Sequence, residues 1–273
     1  QKGKDGITMK RRACKRLLTA AVLCAALTVP AKAARRSVPV QIDGNPIAVS
    51  AYVERGVTYV PLRALLNTMG AWDVWWDEAT GRAAAASDDT HLWADPAADT
   101  VTIDEKTVRG RVTVENGVTY VPLRLVGEAL GCQVEWDPYL RGATVTSPGA
   151  AYDAGELYWL SRIIYAESGA ESMTGQIAVG NVILNRVRSG SFPNTVEGVI
   201  FDRKDAVQFE PVSNGRIYLP PTSQSVEAAK RVLDGENVIG SALYFYAPAL
   251  SQGTWINANR PYQQTIGCHR FYR

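Results

Sequence analysis

Histidine is scarce in this sequence, which has only His91 and His269 among its 273 residues. Zinc-dependent hydrolysis needs two or three imidazole or carboxylate ligands at fixed geometry, and two isolated histidines do not supply such a set. The patterns Gly-x-Ser-x-Gly and Ser-x-x-Lys are both absent, which excludes the serine nucleophiles that they mark. The catalytic chemistry that remains is acid and base chemistry by carboxylates.

Cysteine is also rare, and only Cys132 and Cys268 lie beyond the first 33 residues. The two could form a disulfide in an oxidising compartment, but we favour two free or buried thiols. Cys268 and His269 are neighbours on a predicted strand, so their side chains should project to opposite faces. This geometry argues against a cysteine–histidine dyad.

Long apolar runs are missing except for residues 17–29, which follow a basic stretch that starts at Met9. The run ends before Ala-Lys-Ala at 31–33, and its 13 residues are too few to span a bilayer. We interpret residues 1–33 as upstream residues and a signal peptide cleaved after Ala33, with a retained anchor as the alternative. We therefore expect an exported protein with no stable membrane span.

Positive charge is lacking once that segment is removed. The whole chain carries a net charge of +2, but residues 1–33 hold eight Lys or Arg and one Asp, which leaves −5 for the remainder. No basic patch with interleaved aromatic residues stands out in residues 34–273. Nucleic acid is therefore not expected as a partner.

An eight-residue motif occurs twice without change, at 56–63 and 117–124. Each copy follows a strand-like segment with a turn and precedes a short amphipathic helix, a glycine and a strand that ends in Trp-Asp. The Tyr-Val-Pro-Leu-Arg core resembles the copper amine oxidase N-terminal-like, or stalk, repeat of exported bacterial proteins. We assign 37–146 to a two-repeat α+β stalk-like domain, a spacer or wall-binding module, and 147–152 to a linker.

The family name does not imply copper in this chain. The repeats hold one histidine, His91, and one cysteine, Cys132, whereas a copper site needs several such ligands. We predict no metal and no cofactor. Arg63 and Arg124 each follow Pro-Leu at a helix start, and a structural role that ties helix to strand is favoured over anion binding.

Tryptophans are concentrated in the repeats. Trp76 and Trp136 occupy matched positions before the repeated aspartate, and we expect both in the core. Exposed tryptophans could instead stack on sugar rings, and the candidates are Trp72, Trp75, Trp76 and Trp93.

Residues 153–273 predict a second α+β domain of helices followed by strands. The second helix is apolar nearly all round, so Asn185 and Arg186 are expected to make core hydrogen bonds rather than contact a substrate. The expected helices are 153–167, 172–188 and 223–233, and the expected strands are 242–247 and 265–272.

Glu167 continues the apolar stripe of the first of these helices and is followed by Ser168-Gly169, a helix stop. Burial penalises the charged form of a carboxyl group and raises its pKa. Such an acid can stay protonated near neutral pH and protonate a glycosidic oxygen. An ordinary solvated glutamate at a helix end is the alternative.

Motifs across 153–273 resemble, in order and spacing, the bacterial cell wall hydrolases of the SleB type, the spore cortex-lytic family. The loop after Glu167 departs from that family because glycine does not stand directly before the second glutamate, Glu171. The matching segments are 163–167, 175–179, 185–187, 192–195, 198–200, 208–209, 242–246 and 266–271.

The resemblance implies a lysozyme-like α+β fold, peptidoglycan glycan strands as the substrate, and Glu167 as the catalytic residue. Lytic transglycosylases of the family cleave the bond from N-acetylmuramic acid to N-acetylglucosamine and leave a 1,6-anhydro end. One glutamate can serve as acid and then as base, because the 6-hydroxyl of the sugar is the nucleophile. A secreted protein associated with the cell wall or spore envelope follows, with cortex and vegetative wall both open.

Two alternatives remain beside this mechanism. Glu171 is the only nearby carboxylate in the sequence; we favour a positioning role, but a hydrolytic muramidase could use both glutamates. A wall-associated structural protein that only binds glycan is the second alternative. Candidates for lining the sugar groove, each of which could instead belong to the core, are Glu171, Gln176, Gln208, Phe209, Tyr246, Trp255 and His269.

Overall fold

The computed structural model describes residues 35–47, 50–204 and 206–273. The predicted signal peptide, residues 1–33, lies outside the described residues. Within the described ranges, the helices are all too short or too polar to cross a bilayer. Cys132 and Cys268 are both free thiols, as predicted.

The N-terminal repeats consist mainly of short strands with one helix in each repeat. In chain order these elements are β1 (Arg36–Val38), β2 (Val40–Ile42), β3 (Asn45–Pro46), β4 (Ala51–Glu54), β5 (Val57–Pro61), α1 (Leu62–Met69), β6 (Asp73–Asp77), β7 (Arg82–Ala86), β8 (His91–Asp95), β9 (Thr100–Ile103), β10 (Lys106–Arg109), β11 (Thr113–Glu115), β12 (Val118–Pro122), α2 (Leu123–Ala129), β13 (Gln133–Asp137) and β14 (Gly142–Thr146).

A local two-fold axis relates the repeats. Strands β5 and β12 carry the repeated motif and pair antiparallel in the centre of a sheet ordered β1-β4-β5-β12-β11. Val60 pairs with Val121, and these residues hold the same position in the two motifs. Because each strand lies against its own equivalent, the axis passes between Val60 and Val121.

The repeats also interlock through their other two sheets. Strand β14 of the second repeat pairs with β2 of the first, in the order β13-β14-β2-β3. Strands β6 and β7 of the first repeat continue through β8 into β9 and β10. The sequence predicts the repeated unit, whereas the sharing of sheets between repeats is a finding of the structure. Buried side chains of both repeats form one core that includes Ile42, Leu65, Leu66, Leu123 and Val126.

The prediction that Trp76 and Trp136 lie in the core is wrong. Trp76 is 38% exposed and Trp136 is 44% exposed. The neighbouring strand in each hairpin is a run of small residues, and Ala83 of β7 and Ala143 of β14 pair with these tryptophans. Alanines are too small to cover an indole ring, so both rings remain at the surface.

The C-terminal domain is a helical layer followed by a small sheet, which confirms the mixed α+β class. The three predicted helices are confirmed; the predicted strand 265–272 is instead most of a hairpin that turns at Gly267-Cys268. The elements are α3 (Ala154–Ser168), α4 (Met173–Arg188), α5 (Val196–Ile200), α6 (Glu210–Asn214), a 3₁₀ turn (Arg216–Tyr218), α7 (Ser223–Leu233), β15 (Tyr244–Tyr246), α8 (Thr254–Asn259), β16 (Tyr262–Ile266) and β17 (His269–Tyr272).

Helices α3, α4 and α7 pack on one another and bury most of the apolar side chains of this domain. The amide of Asn185 donates to the carbonyls of Gly240 and Ala242, and Arg186 Nε donates to Leu243 O at 2.7 Å. Both side chains therefore fix α4 to the segment before β15. The predicted structural hydrogen bonds of Asn185 and Arg186 are confirmed, with Arg186 buried and Asn185 partly exposed.

The repeats and the helical layer belong to one compact unit and contact each other around residues 147–152. The backbone N–H of Ser147 donates to the carboxylate of Asp43 at 2.8 Å. The ring of Tyr139 also stacks on Phe201, with centroids 4.0 Å apart. The segment between the domains is thus held by contacts to the repeats, and the repeats support the helical layer.

Candidate active site

Glu167 lies in the last turn of α3, a helix whose other side chains are nearly all buried. The helix begins at Asp153, whose carboxylate accepts the N–H of Glu156 at 2.9 Å. It ends where the N–H of Gly169 donates to the carbonyl of Tyr165 at 2.9 Å. The fixed ends set the register of the helix, and the register leaves Glu167 half-buried.

Burial raises the pKa of Glu167 to about 7. The carboxylate of Glu210 contributes in the same direction, and the positive charge of Arg216 opposes it. The carboxyl group of Glu167 makes no hydrogen bond or ion pair with the residues that the structure describes. An acid with these properties holds its proton near neutral pH and can give it to a substrate.

The carboxylate that acts on Glu167 is therefore Glu210, the first residue of α6. The expectation that Glu171 is the only nearby carboxylate is wrong, because α6 packs on α3 and brings Glu210 close in space. Glu171 is directed to the β16–β17 turn, where its Oε2 accepts the backbone N–H of Cys268 at 3.4 Å. Gly267 has φ of 56° in this turn, and a Cβ atom there would overlap the Glu171 carboxylate. The close approach requires glycine.

Glu171, Cys268 and His269 bring a carboxylate, a thiol and an imidazole within 4.8 Å of one another. Cys268 Sγ lies 3.6 Å from His269 Nδ1 because Cys268 occupies the turn rather than a strand. The prediction that the two side chains project to opposite faces is wrong. These are ligand types that zinc accepts, and burial lowers the pKa of His269, which favours the neutral imidazole that metals bind. The prediction of no metal stays a prediction.

The same cluster does not form an activated nucleophile. Burial and the carboxylate of Glu171 raise the pKa of the Cys268 thiol to about 11. A thiol with that pKa is almost entirely protonated at neutral pH, and the thiolate is the reactive form. The orientation of the two side chains therefore no longer argues against cysteine-based hydrolysis. The high pKa of the Cys268 thiol argues against it instead.

Three predicted groove residues, Gln176, Phe209 and His269, are buried. Gln176 is fully buried, donates to a backbone carbonyl and accepts the hydroxyl of Ser225 at 2.8 Å. Phe209 and His269 are 3% and 4% exposed, and their rings both lie near Phe245. The structure places all three beneath the surface, where they support neighbouring elements.

Three others, Gln208, Tyr246 and Trp255, reach the surface. Gln208 Oε1 accepts a hydrogen bond from Arg186 at 3.3 Å, which orients the amide next to α6. The hydroxyl of Tyr246 accepts from the amide of Asn257 at 3.0 Å. Trp255 is 59% exposed, so one face of its indole can contact a ligand.

Sequence reasoning missed three residues of this region, Glu210, Arg216 and Arg260. Glu210 and Arg216 set the charge around Glu167, and the guanidinium of Arg260 lies 4.5 Å from the ring centroid of Tyr244 and 5.3 Å from that of Trp255. Glu210 carries a usable signal, because an acidic residue directly before Pro211 is typical of a helix start and it follows the matched pair 208–209. Arg216 and Arg260 have no comparable pattern.

Comparison with known protein families matches residues 170–272 to the family described as Cell Wall Hydrolase. Residues 41–145 match the family described as Copper amine oxidase N-terminal domain. Both resemblances inferred from the sequence are thereby confirmed. Glu167 lies just before the segment 170–272 that matches the Cell Wall Hydrolase family, and Glu171 lies within that segment.

Several curated proteins resemble the C-terminal domain. The spore cortex-lytic enzyme of Bacillus cereus is 38% identical over 134 residues, which cover 49% of this chain and 49% of that protein. The spore cortex-lytic enzyme of Bacillus subtilis strain 168 is 36% identical over 124 residues, 45% of this chain and 39% of that protein. The chain thus spans about half the length, or less, of these curated relatives.

Among solved structures, the catalytic domain of the germination-specific lytic transglycosylase SleB from Bacillus anthracis is 39% identical. The alignment covers 46% of this chain and 99% of that domain, with a TM-score of 0.42.

Proposed function

We propose that this chain cleaves the glycan strands of peptidoglycan with Glu167 as the acid, and the match of residues 170–272 to the cell wall hydrolase family supports this proposal. The observation that carries the proposal is the state of this one side chain. Its pKa is about 7, and it has no partner among the described residues, so a protonated carboxyl group is free to contact a glycosidic oxygen. The 38% identity to a spore cortex-lytic enzyme supports peptidoglycan as the substrate class.

The proposed reaction is a lytic transglycosylation. Protonated Glu167 donates its proton to the leaving oxygen as the bond between N-acetylmuramic acid and N-acetylglucosamine breaks. The resulting carboxylate then removes the proton from the 6-hydroxyl of the muramic acid while that oxygen bonds to the anomeric carbon. The proton returns to Glu167, and no water is consumed. A pKa near 7 suits both steps, since the group must act first as an acid and then as a base.

Hydrolysis is the second candidate, and one observation favours it. Glu210 is close enough for its charge to raise the pKa of Glu167, so two carboxyl groups lie near each other at the site. In an inverting or retaining muramidase the second carboxylate activates water or attacks the sugar. Glu210 takes this role better than Glu171, which is directed to the β16–β17 turn.

The test is mass spectrometry of the fragments released from purified peptidoglycan. Transglycosylation gives 1,6-anhydro ends, which are one water lighter than the reducing ends of hydrolysis. Glu167→Gln should abolish release, and Glu210→Gln should leave anhydro products. Exclusively reducing ends that disappear in Glu210→Gln would establish the hydrolytic alternative, and unimpaired release by Glu167→Gln would end the catalytic assignment.

Spore cortex is the proposed form of peptidoglycan. The relatives of Bacillus cereus and Bacillus subtilis are both named spore cortex-lytic enzymes, and this chain shares more than a third of the residues in the aligned regions. Export through the segment 1–33 is proposed to bring the protein to the wall or spore envelope. Comparison of cortex and vegetative peptidoglycan as substrates tests the choice, and faster release from vegetative wall would reverse it.

A further inference from the structure

Two surface grooves lie on the repeats, away from Glu167. The first groove has a volume of about 930 Å³ and is lined by Leu62, Arg63, Val74 and Trp76 of the first repeat. The second groove has a volume of about 780 Å³, with the counterparts from the second repeat. In the order just given, those counterparts are Leu123, Arg124, Val134 and Trp136.

The two grooves are related by the same two-fold axis as the repeats. Each is closed on one side by the β-hairpin of the other repeat: Val118 and Tyr120 line the first groove, and Val57 and Tyr59 line the second. These are again equivalent residues of the duplicated motif. Because equivalent residues build both grooves, the duplication has produced two copies of one concave surface.

The grooves account for much of the apolar surface that the repeats expose. Trp76, Trp136, Val57 and Val118 line them and are between 38% and 44% exposed. Solvent contact with large apolar side chains inside a concave surface is typical of a binding site. Indole rings in such positions can stack on the apolar faces of sugar rings.

Charge distinguishes the second groove. Lys106, Arg109, Arg111 and Arg124 line it against two acidic residues. Arg111 is paired with Glu54, and Arg124 with a glutamate of its own helix, whereas Lys106 and Arg109 make no ion pair within the described part of the chain. Lys106 and Arg109 therefore line the same groove as Trp136 without an ion-pair partner in the described part of the chain, which complements a ligand with carboxylate groups.

We propose that each groove binds one segment of peptidoglycan, with a sugar ring on Trp76 or Trp136 and stem carboxylates beside Lys106 and Arg109. The occupant rests on the proposed function, which makes a polymer of repeating sugars with anionic stems the substrate of the neighbouring domain. Two equivalent sites on repeats that share their sheets match a ligand that repeats. Simultaneous binding at both raises the overall affinity well above that of either groove.

Co-sedimentation of the full chain with insoluble peptidoglycan tests the proposal. Every protein in the assay carries Glu167→Gln, so that the polymer stays intact while the C-terminal domain is present. Trp76→Ala and Trp136→Ala should each weaken binding about tenfold, and the double variant should weaken it further. Trp93→Ala is the matched control because Trp93 lies outside both grooves, stacked on His91. It should bind within twofold of the parent.

Two further variants separate the contribution of the aromatic ring from that of the positive charges. Trp136→Phe keeps an aromatic face and should retain most of the binding, which shows that loss in Trp136→Ala is not unfolding. Lys106→Gln with Arg109→Gln should reduce the dependence of binding on salt concentration. Sedimentation of the double tryptophan variant at the level of the parent would overturn the proposal.

The sedimentation result does not depend on catalysis, because every protein in that assay carries Glu167→Gln. With Glu167 restored, the parent and the Trp93→Ala control should release soluble glycan fragments at the same rate, because Trp93 lies outside both grooves and outside the C-terminal domain. Normal fragment release by the parent, together with unchanged sedimentation of the double tryptophan variant, would refute the proposal about the grooves and leave the proposed function intact. Absence of fragment release by the parent would refute the proposed function, while a tryptophan-dependent sedimentation would still identify the repeats as a wall-binding module.

Discussion

Asp137 in the second repeat accepts a hydrogen bond from the indole N–H of Trp159 in α3, with 2.5 Å between Oδ2 and Nε1. Its other oxygen, Oδ1, accepts the backbone N–H groups of Tyr139 and Leu140 and so shapes the turn after β13. Trp159 is fully buried, and its helix carries Glu167 near its end. One carboxylate therefore joins the repeats to the helix that holds the proposed acid.

The equivalent residue of the first repeat, Asp77, forms the same turn but makes no bond to a tryptophan of the helical domain. Asp77 also accepts a backbone N–H in its turn, from Ala79 at 3.0 Å. Its second oxygen accepts the hydroxyl of Thr80 at 2.6 Å, whereas Asp137 uses that position for the indole of Trp159. The repeated turn is thus the same, and only the second copy gains a contact to the helical domain.

We expect Asp137→Ala to destabilise the protein by about 1–3 kcal/mol more than Asp77→Ala. Both substitutions remove a turn carboxylate, but only the first leaves a buried indole N–H without its acceptor. Urea unfolding followed by tryptophan fluorescence measures the difference, and Asp77→Ala serves as the control for the turn. Equal free energies of unfolding for the two variants would show that the bond to Trp159 contributes nothing.

Glu167→Gln should be more stable than the parent at alkaline pH. The pKa of Glu167 is raised from 4.5 to about 7 in the folded protein, so its stabilising contribution is complete below about 4.5 and is lost as pH rises through 7. At pH 8 the parent holds a half-buried charge that glutamine lacks, and the gain should be about 1–3 kcal/mol. Thermal unfolding at pH 4.5 and pH 8 checks this. A variant that is less stable than the parent at pH 8 contradicts the assignment.

The rate of cleavage should fall on the alkaline side of about pH 7, because the first step needs protonated Glu167. Glu210→Gln removes a negative charge that raises the pKa of Glu167. The alkaline limb of the pH–rate profile, where the rate falls as pH rises, should therefore move to lower pH. Arg216→Gln removes a positive charge that lowers this pKa, and the limb should move to higher pH. Rates of muropeptide release between pH 5 and 9 report both shifts.

Glu210→Gln and Arg216→Gln should shift the pH–rate profile in opposite directions, so each variant serves as a control for the other. A general effect on folding would lower the rate at every pH without moving the limb. Ser213→Ala, on the exposed side of α6, should leave the profile unchanged. Shifts of the same sign in Glu210→Gln and Arg216→Gln would mean that another group governs the limb.

Cys268 should react slowly with iodoacetamide even though it is exposed. Its thiol pKa of about 11 leaves little thiolate at pH 8, and alkylation should be about a hundredfold slower than for an ordinary thiol. Glu171→Gln removes a cause of the raised pKa and should accelerate the reaction. Peptide mass spectrometry follows each cysteine separately, with buried Cys132 as the reference that stays slow in both proteins. Alkylation of Cys268 that is fast in the parent would contradict the described environment.

Much of the fold could be predicted because its signals are local. The duplicated motif, the helix from Asp153 with its stop at Gly169, and the helix 223–233 follow from capping residues and apolar periodicity. The strand predicted at 265–272 failed because a two-residue turn with only one glycine, Gly267-Cys268, carries a weak signal inside a polar segment. That failure also misplaced Cys268 relative to His269.

The structure places some of the predicted groove residues at the surface and others in the core, and the reason is physical. Residue type indicates what a side chain can do, but exposure decides whether it reaches a ligand. Gln176, Phe209 and His269 are chemically suited to a sugar groove and are buried, while Trp76 and Trp136 resemble core residues and are exposed. Burial depends on which elements pack together, which short windows of sequence do not contain.

The sequence by itself determined the duplication, the α+β class, the family of the C-terminal domain and the position of Glu167 on an apolar helix face. Those features rest on local pattern and on the identity of residues along one chain segment. The tertiary structure decided that Glu210 and Arg216 tune Glu167, that Asp137 holds Trp159, and that the duplication forms two equivalent grooves. Each of these depends on charges or surfaces far apart in sequence that meet only when the chain packs.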